Sequence, residues 1–175
     1  MTTAFADTLT GGHPNSLGRT EEVVGIVLTD HARLDELFAT MADPDELVRM
    51  RAGDALEKVC RERRSWFLPH IERILGDLAS IDQPSVQWHV AQMLQHLHDD
   101  LSDDQAQRAR RLLQRNLTES TDWIVLNVTM DVLTEWAASD PTLARGLTPE
   151  LERLRQDKRK SVARRASKRL DELRR

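Results

Sequence analysis

Two histidines and a short acidic run are the residues whose chemistry first draws notice. His89 and His96 lie two helical turns apart on one face, and His96, His98, Asp99 and Asp100 cluster near a helix end. Metal ligation needs several such donors at fixed spacing, and these lack a carboxylate at a defined partner position, so they read as solvated or capping side chains. The single cysteine, Cys60, cannot form an internal disulfide or a multi-thiolate zinc site, and reads as a small buried apolar residue in a reducing compartment. There is no His-Glu-x-x-His zinc helix, no Gly-rich phosphate loop and no nucleophile elbow. The expectation is a non-enzymatic chain with no catalytic residues, no metal and no cofactor.

The elements that would position any functional residue are helices. The chain has 175 residues, enough for one self-sufficient core, and with four Trp, three Phe and no Tyr that core must be mostly aliphatic. Residues 1 to 19 combine Thr, Gly-Gly, His-Pro-Asn and Ser with few spaced apolar positions, the composition of a disordered or loosely ordered tail. From Thr20 onward apolar residues recur at helical spacing, and no stretch alternates as a half-buried strand does. A single domain over residues 20 to 175 is therefore expected.

The helices repeat. An apolar quartet with all members on one helical face occurs as Leu34, Leu37, Phe38, Met41, then as Ile71, Ile74, Leu75, Leu78. Weaker copies are Ala109, Leu112, Leu113 with Asn116, and Leu147, Leu151, Leu154 with Glu150, at offsets of 37, 38 and 38 residues. A second class interleaves with it: Ala52, Ala55, Leu56, Val59; Val90, Met93, Leu94, Leu97; Thr129, Val132, Leu133, Trp136; and Ala166, Leu170, Leu173 with Arg169, at offsets of 38, 39 and 37. Two interleaved families sharing one period predict an all-α stack of about four helical hairpins, a short α-solenoid. Turn chemistry falls at the expected joints. Asp43-Pro44-Asp45-Glu46, Asp82-Gln83-Pro84 and Ser120-Thr121-Asp122 separate helices within repeats. Ser102-Asp103-Asp104-Gln105 fits a capping box between repeats, and Thr148-Pro149-Glu150 fits another helix start.

Val48-Arg49-Met50-Arg51-Ala52-Gly53-Asp54-Ala55-Leu56 resembles the second-helix signature of HEAT repeats, and Ser161-Val162-Ala163-Arg164-Arg165-Ala166 with Leu170 resembles a degraded copy. Together with Val86 to Leu94, the first segment is similar to small bacterial HEAT-repeat proteins, a group with no established activity to carry over. The resemblance covers residues 30 to 173 and implies that the second-class helices line a concave face on which a partner lies. Removing the buried quartets leaves outward columns containing Arg49, Met50, Asp54, Trp88, Gln92, Leu126, Asn127, Met130 and Asp131, the candidate site for an unknown protein or peptide. Trp88 stands either at the apolar centre of that face or folded into the seam between repeats. Trp136 occupies a core slot, and Trp66 and Trp123 lie near helix starts, where they would cover turns.

Charge supplies the alternative. Residues 141 to 175 carry 12 Lys/Arg against 5 Asp/Glu, whereas the preceding 140 residues carry 13 against 24. Arg159, Lys160, Arg164, Arg165, Lys168 and Arg169 form a soluble end cap, a nucleic-acid site or a receptor for an acidic segment. Helical-repeat DNA glycosylases use a groove with Trp, Asp and basic residues, and Trp88, Asp131 and Arg164 offer similar ingredients. Gln92 departs from the carboxylate that family favours near the Trp, and an acidic main body disfavours a wrapped duplex. No apolar run reaches membrane-spanning length and no secretory signal opens the chain, so a cytoplasmic protein without a membrane partner is expected.

Overall fold

The structure, a computed structural model, describes residues 4–175, and among these every regular element is helical. No described helix is long and apolar enough to cross a membrane. The expected single domain divides into two compact units, one ending at Leu101 and one spanning Ser102–Arg175.

The N-terminal unit contains α1 (Ala4–Leu9), α2 (Thr20–Thr29), α3 (Leu34–Thr40), α4 (Glu46–Glu62), α5 (Ile71–Arg73) continued by a π-helical turn (Ile74–Leu78), and α6 (Pro84–Leu97). Both classes of quartet are buried, except that Leu75, in the π-helical turn, is only partly so. Leu34, Leu37, Phe38 and Met41 are buried on the α3 side, and Ala52, Ala55, Leu56 and Val59 are buried on α4. Ile71, Ile74 and Leu78 repeat the first pattern, and Val90, Met93, Leu94 and Leu97 repeat the second. Each large aliphatic side chain so buried contributes about 1.5–3 kcal/mol. The Asp45 side chain accepts from Leu47 N–H at 2.8 Å to start α4, and Pro84 occupies the first turn of α6.

The tail expected at residues 1 to 19 is instead built into this unit; residues 1 to 3 lie outside the described residues. Phe5, Ala6 and Leu9 of α1 are buried, and the Arg33 guanidinium lies 4.4 Å over the Phe5 ring. The loop after α1 wraps Arg51, which is 1% exposed. Its guanidinium donates to the carbonyls of Ser16 (2.9 Å), Leu9 (2.5 Å), Gly11 (2.6 Å) and His13 (3.2 Å). Gly18 has φ +54°, and a Cβ there would stand 2.9 Å from Arg51 Cζ, so both conformation and space require glycine. The Gly and Ser content that reads as disorder is what lets the backbone close around a cation.

The C-terminal unit contains α7 (Asp103–Glu119), α8 (Trp123–Ala137), α9 (Pro141–Leu154) and α10 (Lys160–Leu173). Ala109, Leu113 and Asn116 on α7, with Leu147, Leu151 and Leu154 on α9, fill the first-class slots. Thr129, Val132, Leu133 and Trp136 on α8, with Ala166 and Leu170 on α10, fill the second-class slots. The capping box at Ser102 is present, with Ser102 N–H donating to Gln105 Oε1 (3.0 Å) and Gln105 N–H to Ser102 Oγ (3.3 Å). The start expected at Thr148-Pro149 is not one: α9 begins at Pro141, with the Asp140 carboxylate accepting from Thr142 and Leu143 N–H (both 3.0 Å). Burial of Leu143 and Leu147 extends the helix through Pro149 despite the hydrogen bond that proline lacks.

Candidate functional site

In the N-terminal unit, α4 and α6 pack in parallel register, as three pairings along their length show. Arg49 Nε donates to Gln83 Oε1 (2.7 Å) just before α6, a Cβ on Gly53 would meet His89 Nδ1 at 3.0 Å, and His96 Nε2 lies 2.8 Å from Glu57 Oε1. Gly53 thus makes room for the buried His89 ring. His89 Nε2 faces Asp54 Oδ1 at 3.7 Å, while its Nδ1 is buried without a hydrogen-bond partner. Lys58 Nζ reaches Asp54 Oδ2 (2.8 Å) and also contacts Glu21 on α2. Burial alone would raise the Asp54 carboxyl, but the neighbouring His89 and Lys58 outweigh it and hold the group below its ordinary value. Lys58 is held above its ordinary value because Asp54 and Glu21 outweigh its own burial.

Of the candidate site residues here, Met50, Asp54, Trp88 and Gln92 remain partly exposed on these two helices. Arg49 is committed elsewhere: besides Gln83, its Nη1 donates to the carbonyls of Asp43 (2.7 Å) and Pro44 (3.0 Å), which ties the start of α4. Of the histidines expected to be solvated or capping, only His98 stands at a cap, the C-terminal one of α6. His89 is buried and His96 is hydrogen-bonded to Glu57, while His98 faces Asp99 at 3.4 Å. No group of three or more His, Cys, Asp or Glu poised for a metal occurs among the described residues. Cys60 is buried, and burial, with the Glu57 charge adding to it, pushes its thiol up to about 12.

The C-terminal unit overturns part of the expected face. Leu126, Asn127 and Met130 are buried, not outward. The quartet spacing marks one buried face, but α8 is packed by α7, α9 and α10, which covers further faces and leaves only Ile124, Val128, Asp131 and Glu135 partly or fully exposed along its middle. Asp131 is no free carboxylate: Arg165 Nη1 (2.8 Å) and Arg169 Nε (2.7 Å) bind its two oxygens from α10.

The basic candidates separate into two groups. Arg159 donates to Asp157 Oδ1 (2.8 Å) and Oδ2 (2.7 Å) and to the Thr121 carbonyl, and it holds the Asp157 carboxyl down at about 2. Arg165, like Arg159, is a structural tie between neighbouring helices. Lys160, Arg164 and Lys168 are exposed on α10 and make no hydrogen bond or ion pair among the described residues. Lys168 merely feels the Glu172 carboxylate that Arg169 holds at 2.5 Å.

One feature had no sequence signal. A surface pocket of about 260 Å³ is lined by His31, Asp35, Trp66 and His70, whose elements are far apart in the chain. Its polar groups are already engaged: His31 stacks on Trp66 (4.3 Å), His70 stacks on Phe38 (4.6 Å), and Asp35 is bound by Arg73 (2.7 Å). Trp123, expected to cover a turn, is 50% exposed at the start of α8, whereas Trp66 is partly buried by its His31 stack. Comparison of the chain with protein-family models and with curated proteins finds no match.

Proposed function

We propose that the chain is a non-enzymatic interaction module, assembled from HEAT-type helical hairpins as a short solenoid, that binds a peptide segment of a partner protein on the α4–α6 face. One observation carries this reading: Trp88 stays partly exposed on a helix in parallel register with α4, where Met50 and Asp54 are also partly exposed. A large rigid apolar ring with Gln92 one turn on, and His89 beside it facing the Asp54 carboxylate, has the composition of a binding hot spot, because it offers area at little entropic cost and a polar rim for orientation. The N-terminal unit carries 9 Lys/Arg against 17 Asp/Glu, so the fitting segment has an apolar anchor flanked by basic residues. Asp131, bound by two arginines, no longer belongs to the face.

Selection of displayed random peptides on the full chain tests the proposal. Basic peptides with an apolar anchor are the expected enrichment, and Trp88→Ala should weaken the selected peptides at least tenfold, the effect of losing about 1.4–2 kcal/mol at a hot spot. Thermal unfolding of the variant checks that it remains folded. Unchanged affinity in a folded Trp88→Ala protein would remove the site from this face.

A further inference from the structure

We infer that α10 and the start of α8 form a second, independent docking site, one for single-stranded nucleic acid. The faces of α10 are sharply divided. Val162, Ala166 and Leu170 are buried, and Arg165 and Arg169 are held by Asp131. Lys160, Arg164 and Lys168 remain, exposed and without ion pairs among the described residues. They stand four residues apart, so each repels the next along one side of the helix, a cost that a bound polyanion reverses. Four residues rise roughly 6 Å, comparable to the separation of successive phosphates along an extended single strand.

The second observation is Trp123, the large apolar side chain of the C-terminal unit that stays half in solvent. Arg159, immediately before α10, donates to the Thr121 carbonyl and feels the Asp122 charge. The first turns of α8 and α10 are thereby tied together, which puts Trp123 and Lys160 at the same end of the unit. An exposed indole beside a cationic stripe provides both parts of single-strand recognition, a ring on which an unpaired base stacks and charges that follow the backbone. Stacking requires a base outside a duplex, and this favours a single strand over paired nucleic acid. None of these residues belongs to the α4–α6 face, so the inference stands or falls separately from the peptide site.

Fluorescence anisotropy of the full chain with labelled oligo-U and oligo-dT of about 15 nucleotides tests it against a duplex of the same length. Three phosphate contacts predict that single-strand affinity falls about 20-fold between roughly 50 and 200 mM salt. Trp123→Ala should lose about tenfold, and the triple variant Lys160→Gln, Arg164→Gln, Lys168→Gln should abolish binding. Circular dichroism melting of each variant should match the wild type, since all four side chains are solvent-facing. Arg111→Gln with Arg115→Gln, an exposed basic pair on α7, should stay within about threefold of the wild type. Absence of binding at low salt overturns the inference. So does a loss in the α7 variant equal to that in the α10 variant, which would reduce the effect to general charge. Full competition by polyglutamate, with Trp123→Ala unaffected, overturns it too and reassigns the stripe to an acidic protein segment.

Discussion

The two units are built from the same quartets yet handle charge in opposite ways. The N-terminal unit buries ionisable side chains: Arg51 inside a shell of carbonyls, Glu57 against His96, and His89 beside Asp54. The buried polar residues of the C-terminal unit are the uncharged Asn116, Asn127, Thr129 and Thr134, and its 16 Lys/Arg and 12 Asp/Glu sit nearer the surface. Buried charges hold geometry only when every donor is met, and so they fix how elements pack. Surface charges are cheap to leave unpaired and remain free for partners. The acidic unit therefore uses buried charge to fix its packing, while the basic unit buries only uncharged polar groups and keeps its charges nearer the surface.

The largest effect expected from this contrast is at Arg51. Arg51→Met leaves the carbonyls of Leu9, Gly11, His13 and Ser16 without their donor and should cost about 3–5 kcal/mol in urea unfolding. The loop through Gly11 and Gly12 should also become an early site of limited proteolysis. The matched change in the other unit, Arg159→Met, removes a partly exposed pair with Asp157 and the donor to the Thr121 carbonyl, and should cost only about 1 kcal/mol. Equal costs would erase the distinction between the units.

The sequence carried the hairpin register because aliphatic spacing depends on helix geometry alone: Leu34 to Met41 and Val90 to Leu97 occupy the slots that their period assigns. It hid α1 because Phe5, Ala6 and Leu9 are too few to establish a period, and because the Arg51 shell consists of backbone carbonyls, which have no residue signature. Leu126 and Met130 were misplaced for a related reason. A quartet identifies the face turned toward one neighbour and is silent about a helix packed by three. The partial exposure of Met50, Asp54, Trp88 and Gln92, and the full exposure of Lys160, Arg164 and Lys168, follow from positions outside the buried quartets, which the spacing does make legible.

A smaller effect, dependent on pH, is expected at Asp54. Its folded carboxyl lies below the ordinary value, so its stabilising contribution is fully present above the ordinary carboxylate range and is lost as pH falls through the lowered folded value. Asp54→Asn should therefore be less stable than the wild type at neutral pH, by about 0.5–1 kcal/mol given the partial exposure of the pair. The gap should close as pH drops from about 5 toward 2, when the wild-type carboxyl is itself neutral. Urea midpoints measured across that range check the sign. A gap that widens in acid would mean that the Lys58 and His89 contacts do not stabilise the carboxylate.

The smallest expected effect lies in the C-terminal unit and has the opposite sign. Asn127 is buried on α8, and its Oδ1 has no hydrogen-bond partner, so the folded state carries a desolvated oxygen that the unfolded chain gives to water. Leucine has nearly the same size and no polar atom, and Asn127→Leu should raise stability by a few tenths to about 1 kcal/mol. A loss of comparable size would instead reveal an internal water bonded to Oδ1. In that event the neutral core of this unit would rest on a satisfied polar network after all, and the difference from the Arg51 unit would be one of net charge alone.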